Sequence, residues 1–258
     1  MKLMTSFAAL CAVSCIGFSA SAQESWYGAF GGGIGQQSVE FEDEGEDINT
    51  WNLEGVAVVP LGERFSVQVD ASYTGVSEDD FSGNVTSGSA HLIMRDDSYA
   101  LGGYIGFGSA EDVSTLIAGG EAAWFLGPST IALGAGYGQA DVDDDSIDVY
   151  GVNGEYRFFF TEDFRLDARL GYQGASESGE DETFTSFGVG GEWRPTRYPV
   201  SIFANYDRLE GDNFDGSLSS YQFGLRILFG PGDTLMSRER EATTFAPFGG
   251  FQSIANGV

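Results

Sequence analysis

The feature that most constrains this chain is a strict alternation of apolar and polar residues between Arg64 and Gly75. Every second residue from Phe65 to Tyr73 is apolar, and the residues between them are Ser, Gln, Asp and Ser. A period of two over about ten residues is typical of a β-strand with one apolar and one polar face, since a helix would spread these residues around its axis. The segment is also long enough to cross a bilayer as a tilted strand.

The same alternation recurs along the chain. It is clear over Phe164–Gln173 and Tyr221–Phe229. Weaker versions run over Trp26–Ile34, Trp51–Val59, Ser89–Arg95, Tyr99–Phe107, Thr115–Phe125, Thr130–Gln139, Ile147–Phe159, Thr185–Arg194 and Val200–Arg208. We therefore predict an all-β fold, a transmembrane antiparallel β-barrel of about twelve strands. The count is even, as bacterial single-chain barrels prefer.

The connections between these strands differ in length on the two sides. Short turns are predicted at Pro60–Glu63, Asp96–Ser98, Gly127–Pro128, Thr161–Asp163 and Pro195–Pro199. Longer acidic loops are predicted at Glu42–Asp47, Val76–Gly88, Ser109–Ser114, Asp141–Ser146, Gly174–Thr183 and Glu210–Gly216. Short periplasmic turns and longer outer loops are typical of outer-membrane barrels, so we expect extracellular long loops and two periplasmic chain ends.

A soluble β-sandwich is the main structural alternative, because it also contains short alternating strands. It would not need aromatic residues on its outer surface. Here aromatic residues fall near predicted strand ends, where an interfacial belt belongs. These residues are Trp26, Tyr27, Trp51, Tyr73, Trp124, Tyr137, Tyr156, Tyr172, Trp193 and Tyr206. Their placement favours the barrel.

The N-terminus has the pattern of a cleaved signal peptide. Lys2 precedes an apolar stretch, Leu3–Phe18, and Ala20–Ala22 forms a small-residue cleavage site. We predict a signal peptide over residues 1–22, a barrel over 23–229 and a periplasmic tail over 230–258. Both cysteines lie in the signal peptide, and a lipoprotein-type cleavage at Cys15 is the lesser alternative.

The charge and the residue types exclude several functions. The chain has 12 basic and 39 acidic residues, a net charge of −27, so nucleic-acid binding is not expected. With one histidine, His91, and no cysteine after Cys15, neither a metal site nor a cofactor is expected. His91 could serve a serine hydrolase, but no Ser carries a recognisable signature, so no catalytic residues are predicted.

Charged residues of both signs occupy the predicted inward positions. They are Glu54, Asp70, Arg95, Glu121, Glu155, Arg157, Arg165, Asp167, Arg169, Glu192, Arg194, Asp207 and Arg226. Arginine throughout suits bidentate pairing with carboxylates. These groups either line a watery constriction or form a salt-bridged plug, and the sequence leaves both interpretations open.

The last predicted strand carries a more specific signal. Gln222, Gly224, Ile227 and Phe229 match the polar, glycine, apolar and aromatic places of the terminal-strand motif read by the bacterial barrel-assembly machinery. From about Ser25 to Phe229 the chain resembles porin-type and small outer-membrane barrel proteins of Gram-negative bacteria. The chain continues to Val258, so the motif is internal here. The resemblance implies assembly by that machinery and contact with outer-membrane lipid and lipopolysaccharide.

Three functions follow from this fold. The first is a passive pore for small hydrophilic solutes, with the charged lumen setting its charge preference. The second is a non-conducting structural or surface-interaction barrel sealed by its own ion pairs. The third is an outer-membrane hydrolase, which ranks last, and we predict that the protein is not an enzyme. The tail over 230–258 shows no strand alternation, and the sequence does not decide whether it is disordered, docks under the barrel or contacts a partner.

Overall fold

The structure is a computed structural model that describes residues 26–41, 44–77, 82–110, 113–142, 145–177, 180–195, 198–211, 216–242 and 245. The predicted signal peptide over 1–22 lies outside the described residues, as does the tail beyond 245. In the part of the chain that is described, no helix is long and apolar enough to cross a membrane, a finding that has no bearing on a β-barrel.

Twelve strands and one short helix are described. The strands are β1 (Tyr27–Phe41), β2 (Glu44–Pro60), β3 (Phe65–Ser77), β4 (Ser82–Arg95), β5 (Tyr99–Ala110), β6 (Val113–Leu126), β7 (Ser129–Val142), β8 (Asp145–Thr161), β9 (Phe164–Glu177), β10 (Glu180–Trp193), β11 (Val200–Gly211) and β12 (Gly216–Phe229). The helix is α1 (Leu235–Glu241).

Each strand pairs antiparallel with its neighbours in sequence, and β12 pairs with β1 to close the barrel. The closing register runs from Gly28 opposite Phe229 to Phe41 opposite Gly216. Closure removes the free sheet edges, so the backbone groups of the wall are satisfied within it. The predicted antiparallel barrel of about twelve strands is confirmed.

The two ends of the barrel differ. One end, here called the turn end, carries the turns 61–64, 96–98, 127–128 and 162–163, together with the chain at Trp26 and Gly230. Gly127 adopts a positive φ of 59° in one of these turns, a conformation that favours glycine. The other end, here called the far end, carries connections at 42–43, 78–81, 111–112, 143–144, 178–179 and 212–215, which lie outside the described residues.

The predicted bounds of the long acidic loops are wrong. Strand β3 runs to Ser77 and β4 begins at Ser82, so most of Val76–Gly88 is paired strand. Likewise β2 begins at Glu44, inside the predicted loop Glu42–Asp47. Near the far end polar residues lie on both faces of the strands, so the alternation is lost while the hydrogen-bond ladder continues. Backbone hydrogen bonds do not depend on the side-chain pattern, so these strand ends could not be predicted from the sequence.

The outer surface of the barrel is apolar. Along β12, Phe223, Leu225 and Ile227 point outward and are each about half exposed. Exposed aromatic side chains lie near both ends of this surface, such as Trp124 and Trp193 near the turn end. Tyr27 is an exception among the predicted belt residues, because its hydroxyl donates to Glu241 of α1 at 3.1 Å.

Candidate functional site in the barrel lumen

Inward-facing charged residues meet over small residues of the wall. Arg226 on β12 forms an ion pair with Glu54 on β2, although β1 lies between these strands. Gly31 of β1 leaves the space for this pair, because a Cβ there would lie 2.8 Å from Arg226 Cγ and 3.0 Å from Glu54 Oε1. The same Cβ would lie 2.9 Å from the Leu225 carbonyl oxygen, so the wall at this position has room only for glycine while the ion pair is formed.

Glu192 on β10 is the centre of the lumen network. Its Oε2 accepts hydrogen bonds from Arg226 Nη1 at 2.9 Å and from Arg165 Nη2 at 3.0 Å. Its Oε1 accepts from the Ser201 hydroxyl at 2.5 Å. The carboxylate is buried, so these charge-assisted bonds offset its loss of hydration. One side chain of β10 therefore links β9, β11 and β12.

A second branch of the network lies further toward the far end. Arg169 on β9 contacts Asp167 on its own strand and Asp207 on β11, with 3.0 Å between Arg169 Nη2 and Asp207 Oδ1. Arg157 on β8 pairs with Glu155 at 2.6 Å. In both Glu155–Arg157 and Asp167–Arg169, two charged residues that lie two positions apart on one strand face are in direct contact.

The C-terminal helix contributes a carboxylate that was not among the predicted lumen residues. Arg157 Nη1 donates to Glu239 Oε1 at 2.8 Å and to Oε2 at 3.0 Å. Arg165 Nη1 lies 3.7 Å from Glu239 Oε2. Glu239 is only 5% exposed, so the network continues from the wall into the tail.

Helix α1 is fixed by a capping box. The Thr234 side chain accepts from Ser237 N at 3.0 Å, and Thr234 N donates to Ser237 Oγ at 3.1 Å. This Thr-x-x-Ser spacing is the sequence signal that could have located the helix, although the usual N3 residue of a capping box is Glu or Gln. A helix this short is marginal by itself and depends on its tertiary contacts.

These contacts place α1 across the turn end of the barrel. Met236 N donates to Glu162 O at 2.9 Å in the β8–β9 turn. Arg240 donates to Gly127 O at 2.7 Å in the β6–β7 turn, and its guanidinium lies 4.6 Å from the centre of the Phe125 ring. Burial lowers the pKa of Arg240 from its ordinary value, and the Glu239 carboxylate acts in the opposite direction.

Phe245 extends the tail to the opposite wall. Its backbone N–H donates to Gln68 Oε1 at 3.1 Å, and its carbonyl accepts from Gln68 Nε2 at 2.8 Å. Its side chain is 4% exposed and packs against inward-facing residues of β4 to β7. These residues are Ile93, Ala100, Ala123 and Ala132. Of the three possibilities for the tail, the described residues adopt the docked one.

A separate polar cluster surrounds His91 on β4. Ser89 Oγ lies 2.8 Å from His91 Nε2, and Glu121 Oε1 lies 2.8 Å from His91 Nδ1. This is the order serine, histidine, acid that nucleophilic catalysis uses, and it was not predicted from the sequence. The signal was present, because Ser89 and His91 are two apart and so share one strand face.

A fourth residue changes the interpretation of this cluster. Asp70 Oδ1 accepts the Ser89 hydroxyl at 2.6 Å, and Asp70 Oδ2 lies 3.0 Å from the same His91 Nε2. Both ring nitrogens of His91 therefore face carboxylate oxygens, which favours an imidazole that donates on both sides. Such a ring does not serve as a base for Ser89. The arrangement favours a buried polar link between β3, β4 and β6 over an activated nucleophile.

The predicted inward residues thus fall into three places. The network holds Glu54, Glu155, Arg157, Arg165, Asp167, Arg169, Glu192, Asp207 and Arg226, and the His91 cluster holds Asp70 and Glu121. Arg194 lies at the turn end, where it donates to Tyr198 O at 3.2 Å and to Gly232 O at 3.4 Å. Arg95 lies at the end of β4 and forms no ion pair within the described part of the chain. Within the described ranges no group of three or more possible metal ligands is found.

The predicted assembly motif lies on β12. Ile227 and Phe229 point outward, and Gln222 accepts from Asn205 Nδ2 at 3.3 Å. A Cβ on Gly224 would lie 2.5 Å from the Phe203 ring, so the glycine is needed for packing as well. Recognition of this motif by the assembly machinery stays a prediction.

No protein-family model matches the chain, and no curated protein matches it in sequence. Solved structures do match its fold. The translocator domain of the autotransporter NalP from Neisseria meningitidis aligns with a TM-score of 0.56 at 13% identity, covering 88% of this chain and 96% of that one. The beta domain of the Bordetella autotransporter BrkA gives 0.50 at 14% identity, covering 80% of this chain and 100% of that one. The KdgM porin aligns with a TM-score of 0.50 at 8% identity, covering 76% of this chain and 99% of that one.

At these identities the likeness concerns the fold. The chain folds as a small barrel of the outer-membrane type, closed by twelve antiparallel strands. The resemblance inferred from Gln222–Phe229 and from the strand pattern is confirmed at that level. The autotransporter and porin neighbours share one architecture, so the activity of this chain has to be argued from its own lumen.

Proposed function

We propose that this protein is an integral outer-membrane barrel that acts as a passive pore for small hydrophilic solutes and that its C-terminal segment closes the turn end. The C-terminal segment is here residues 230–242 together with Phe245. Membrane insertion is supported by the apolar outer surface. Tyr221 and Phe229 face outward on β12 and lie about 27 Å apart along the strand, or about 20 Å in height after a tilt of about 40°. That span is close to the apolar band of an outer-membrane barrel.

The observation that best supports a pore is the small number of strands that separate the two partners of each ion pair. In the described part of the wall, each ion pair joins strands at most two apart, as Arg226 on β12 does with Glu54 on β2. Such pairs follow the wall and do not cross the lumen. A barrel of eight strands is just filled by its own side chains, and the diameter grows with strand number, so twelve strands leave additional space.

The C-terminal segment supports the closed state. It contacts Arg157 of β8 through Glu239 and Gln68 of β3 through Phe245, so it spans between distant walls. It is held by hydrogen bonds and one short helix rather than by the strand ladder. Segments of this kind have a lower opening free energy than the core of a fold.

The alternative is a structural barrel that never conducts. Permanent docking of the C-terminal segment would favour this alternative. Single-channel recording of the purified mature protein in planar bilayers separates the two functions. We expect brief unitary steps from the unaltered protein and longer ones from Glu239→Gln, which removes the charged contact with Arg157. Silence of both proteins at high load, with each shown to be folded by heat-dependent mobility on a semi-native gel, would refute the pore.

A further inference from the structure

The Glu239 carboxylate is held in the way a bound ligand would be held. Arg157 is almost fully buried, and one side of its guanidinium is fixed by Glu155 of the same wall at 2.6 Å. Its Nη1 donates to both oxygens of Glu239, and the Arg165 guanidinium approaches from the next strand. The wall therefore supplies a guanidinium that is oriented before its second carboxylate partner arrives.

That second partner belongs to a segment that can leave. Helix α1 has seven residues, Leu235–Glu241, and a helix of this length needs its docking contacts to persist. When the segment undocks, the Arg157 Nη1 group loses its two charge-assisted hydrogen bonds to Glu239. Water supplies a neutral acceptor, whereas a solute carboxylate supplies the charge and the geometry of Glu239.

We propose that Arg157 and Arg165 form a lumen subsite for solutes that carry a carboxylate, and that Glu239 occupies this subsite as an internal competitor. The inference deepens the proposed function, on which it rests for the entry of solute into the lumen. Glu155 and Glu192 lie on either side of the two arginines, so a dense polyanion would meet like charge. The subsite therefore fits a hydrophilic solute with a single carboxylate.

Competition between solute and tail can be measured without conduction. Ala242 is 7% exposed and directly follows α1, and both cysteines of the chain, Cys11 and Cys15, lie in the predicted signal peptide. An Ala242→Cys variant of the full mature protein would thus carry one thiol. Its rate of reaction with a polar maleimide reports how often the segment undocks. Gluconate is the probe, and sorbitol, which has the same carbon chain without a carboxylate, is its control.

We expect gluconate at millimolar concentration to raise the labelling rate several-fold and sorbitol to leave it unchanged, because a ligand of the undocked state shifts the population toward that state. Glu239→Gln in the same background should raise the rate at least about tenfold, since it leaves buried charge-assisted bonds unmade. Glu241→Gln is the matched control, because its carboxylate contacts Tyr27 instead.

Equal rates with gluconate and sorbitol would overturn the subsite. Equal effects of Glu239→Gln and Glu241→Gln would overturn the role of Glu239 as its occupant. The gluconate experiment needs no substitution at the site, so it remains decisive where Glu239→Gln disturbs the fold. A labelling response in a protein that is silent in bilayers would retain the subsite and reject the pore, which keeps the two proposals distinguishable.

Discussion

Gln68 and Phe245 are joined by two hydrogen bonds, with the Gln68 side chain accepting from the Phe245 amide at 3.1 Å and donating to its carbonyl at 2.8 Å. The two residues are 177 positions apart in the chain. One side chain thus satisfies both backbone groups of Phe245, as a neighbouring strand would do. This contact holds the C-terminal segment against the wall that lies away from Glu239.

Replacement of Gln68 should release the tail and leave the barrel intact. Gln68→Leu removes both bonds and leaves the buried Phe245 backbone groups without partners, a cost of roughly 1–3 kcal/mol for each group. We expect cleavage of the tail by protease to accelerate about tenfold or more. Gln173→Leu is the matched control, because Gln173 is a buried inward glutamine of β9 with no described contact to the tail. Equal cleavage rates for the two variants would contradict this role of Gln68.

Neutralising Arg169 should change the charge preference of the pore. Arg169→Gln leaves Asp167 and Asp207 without the cation that contacts both, so the lumen becomes more negative. We expect the reversal potential in a salt gradient to shift toward cation selectivity, with a modest loss of heat stability because a buried carboxylate loses its partner. Arg208→Gln is the control, because Arg208 lies on the opposite face of β11 from Asp207 and pairs there with Glu210. An unchanged reversal potential would show that Arg169 does not line the ion path.

Substitution of Gly31 should weaken the barrel through the ion pair above it. A Cβ there would press on Arg226, on Glu54 and on the Leu225 carbonyl oxygen, and overpacking of this kind costs about 1–3 kcal/mol. We expect Gly31→Ala to lower the temperature at which the protein loses its compact form on a semi-native gel. The control is Gly55→Ala on β2, where the nearest atom, Phe30 Cδ2, would lie at an ordinary 3.8 Å. The prediction fails if both variants lose their compact form at the same temperature.

The orientation in the membrane can be tested with inserted epitopes. We expect a tag after Gly179, in the β9–β10 connection, to be reached by antibody on intact cells. A tag after Asp97, in the β4–β5 turn, should be reached only after the outer membrane is permeabilised. The opposite result would place the turn end, and with it the C-terminal segment, on the cell surface.

The Ser89 hydroxyl should not react as an activated nucleophile. Its hydrogen bond to Asp70 at 2.6 Å and the approach of the same carboxylate to His91 Nε2 leave no free base. We therefore expect no labelling of Ser89 by a fluorophosphonate in the folded protein. Labelling that disappears in Ser89→Ala would revive the hydrolase hypothesis.

Much of the wall could be predicted from the sequence because its physical cause is local. In segments such as Phe65–Tyr73, each side chain faces either the apolar exterior or the polar lumen. Because the strand period is two, apolar and polar residues alternate in the sequence. Inward placement of Glu155 and Arg157 follows from the same period. Where both faces of a strand carry polar residues, as from Gly83 to Thr86, the pattern disappears and the strand bounds could not be found.

The closing segment could not be predicted because its contacts are distant in sequence. Glu239 is one acid among 39 acidic residues, and only the fold brings it to Arg157, which lies 82 positions earlier. The His91 cluster has the same origin. Ser89 and His91 share a strand face by spacing alone, whereas Asp70 and Glu121 join them only through the register of β3 to β6.

The contacts of Arg238 have a consequence for the order of folding. Its Nη2 donates to Phe229 O at 2.7 Å on β12 and to Gly28 O at 2.8 Å on β1, the two strands that close the barrel. These carbonyls come together only when the first and last strands have paired, which is the contact of greatest sequence separation and the slowest to form. The Arg238 contacts of the C-terminal helix can therefore form only on a finished barrel, so full protection of the helix from protease during biogenesis would follow closure.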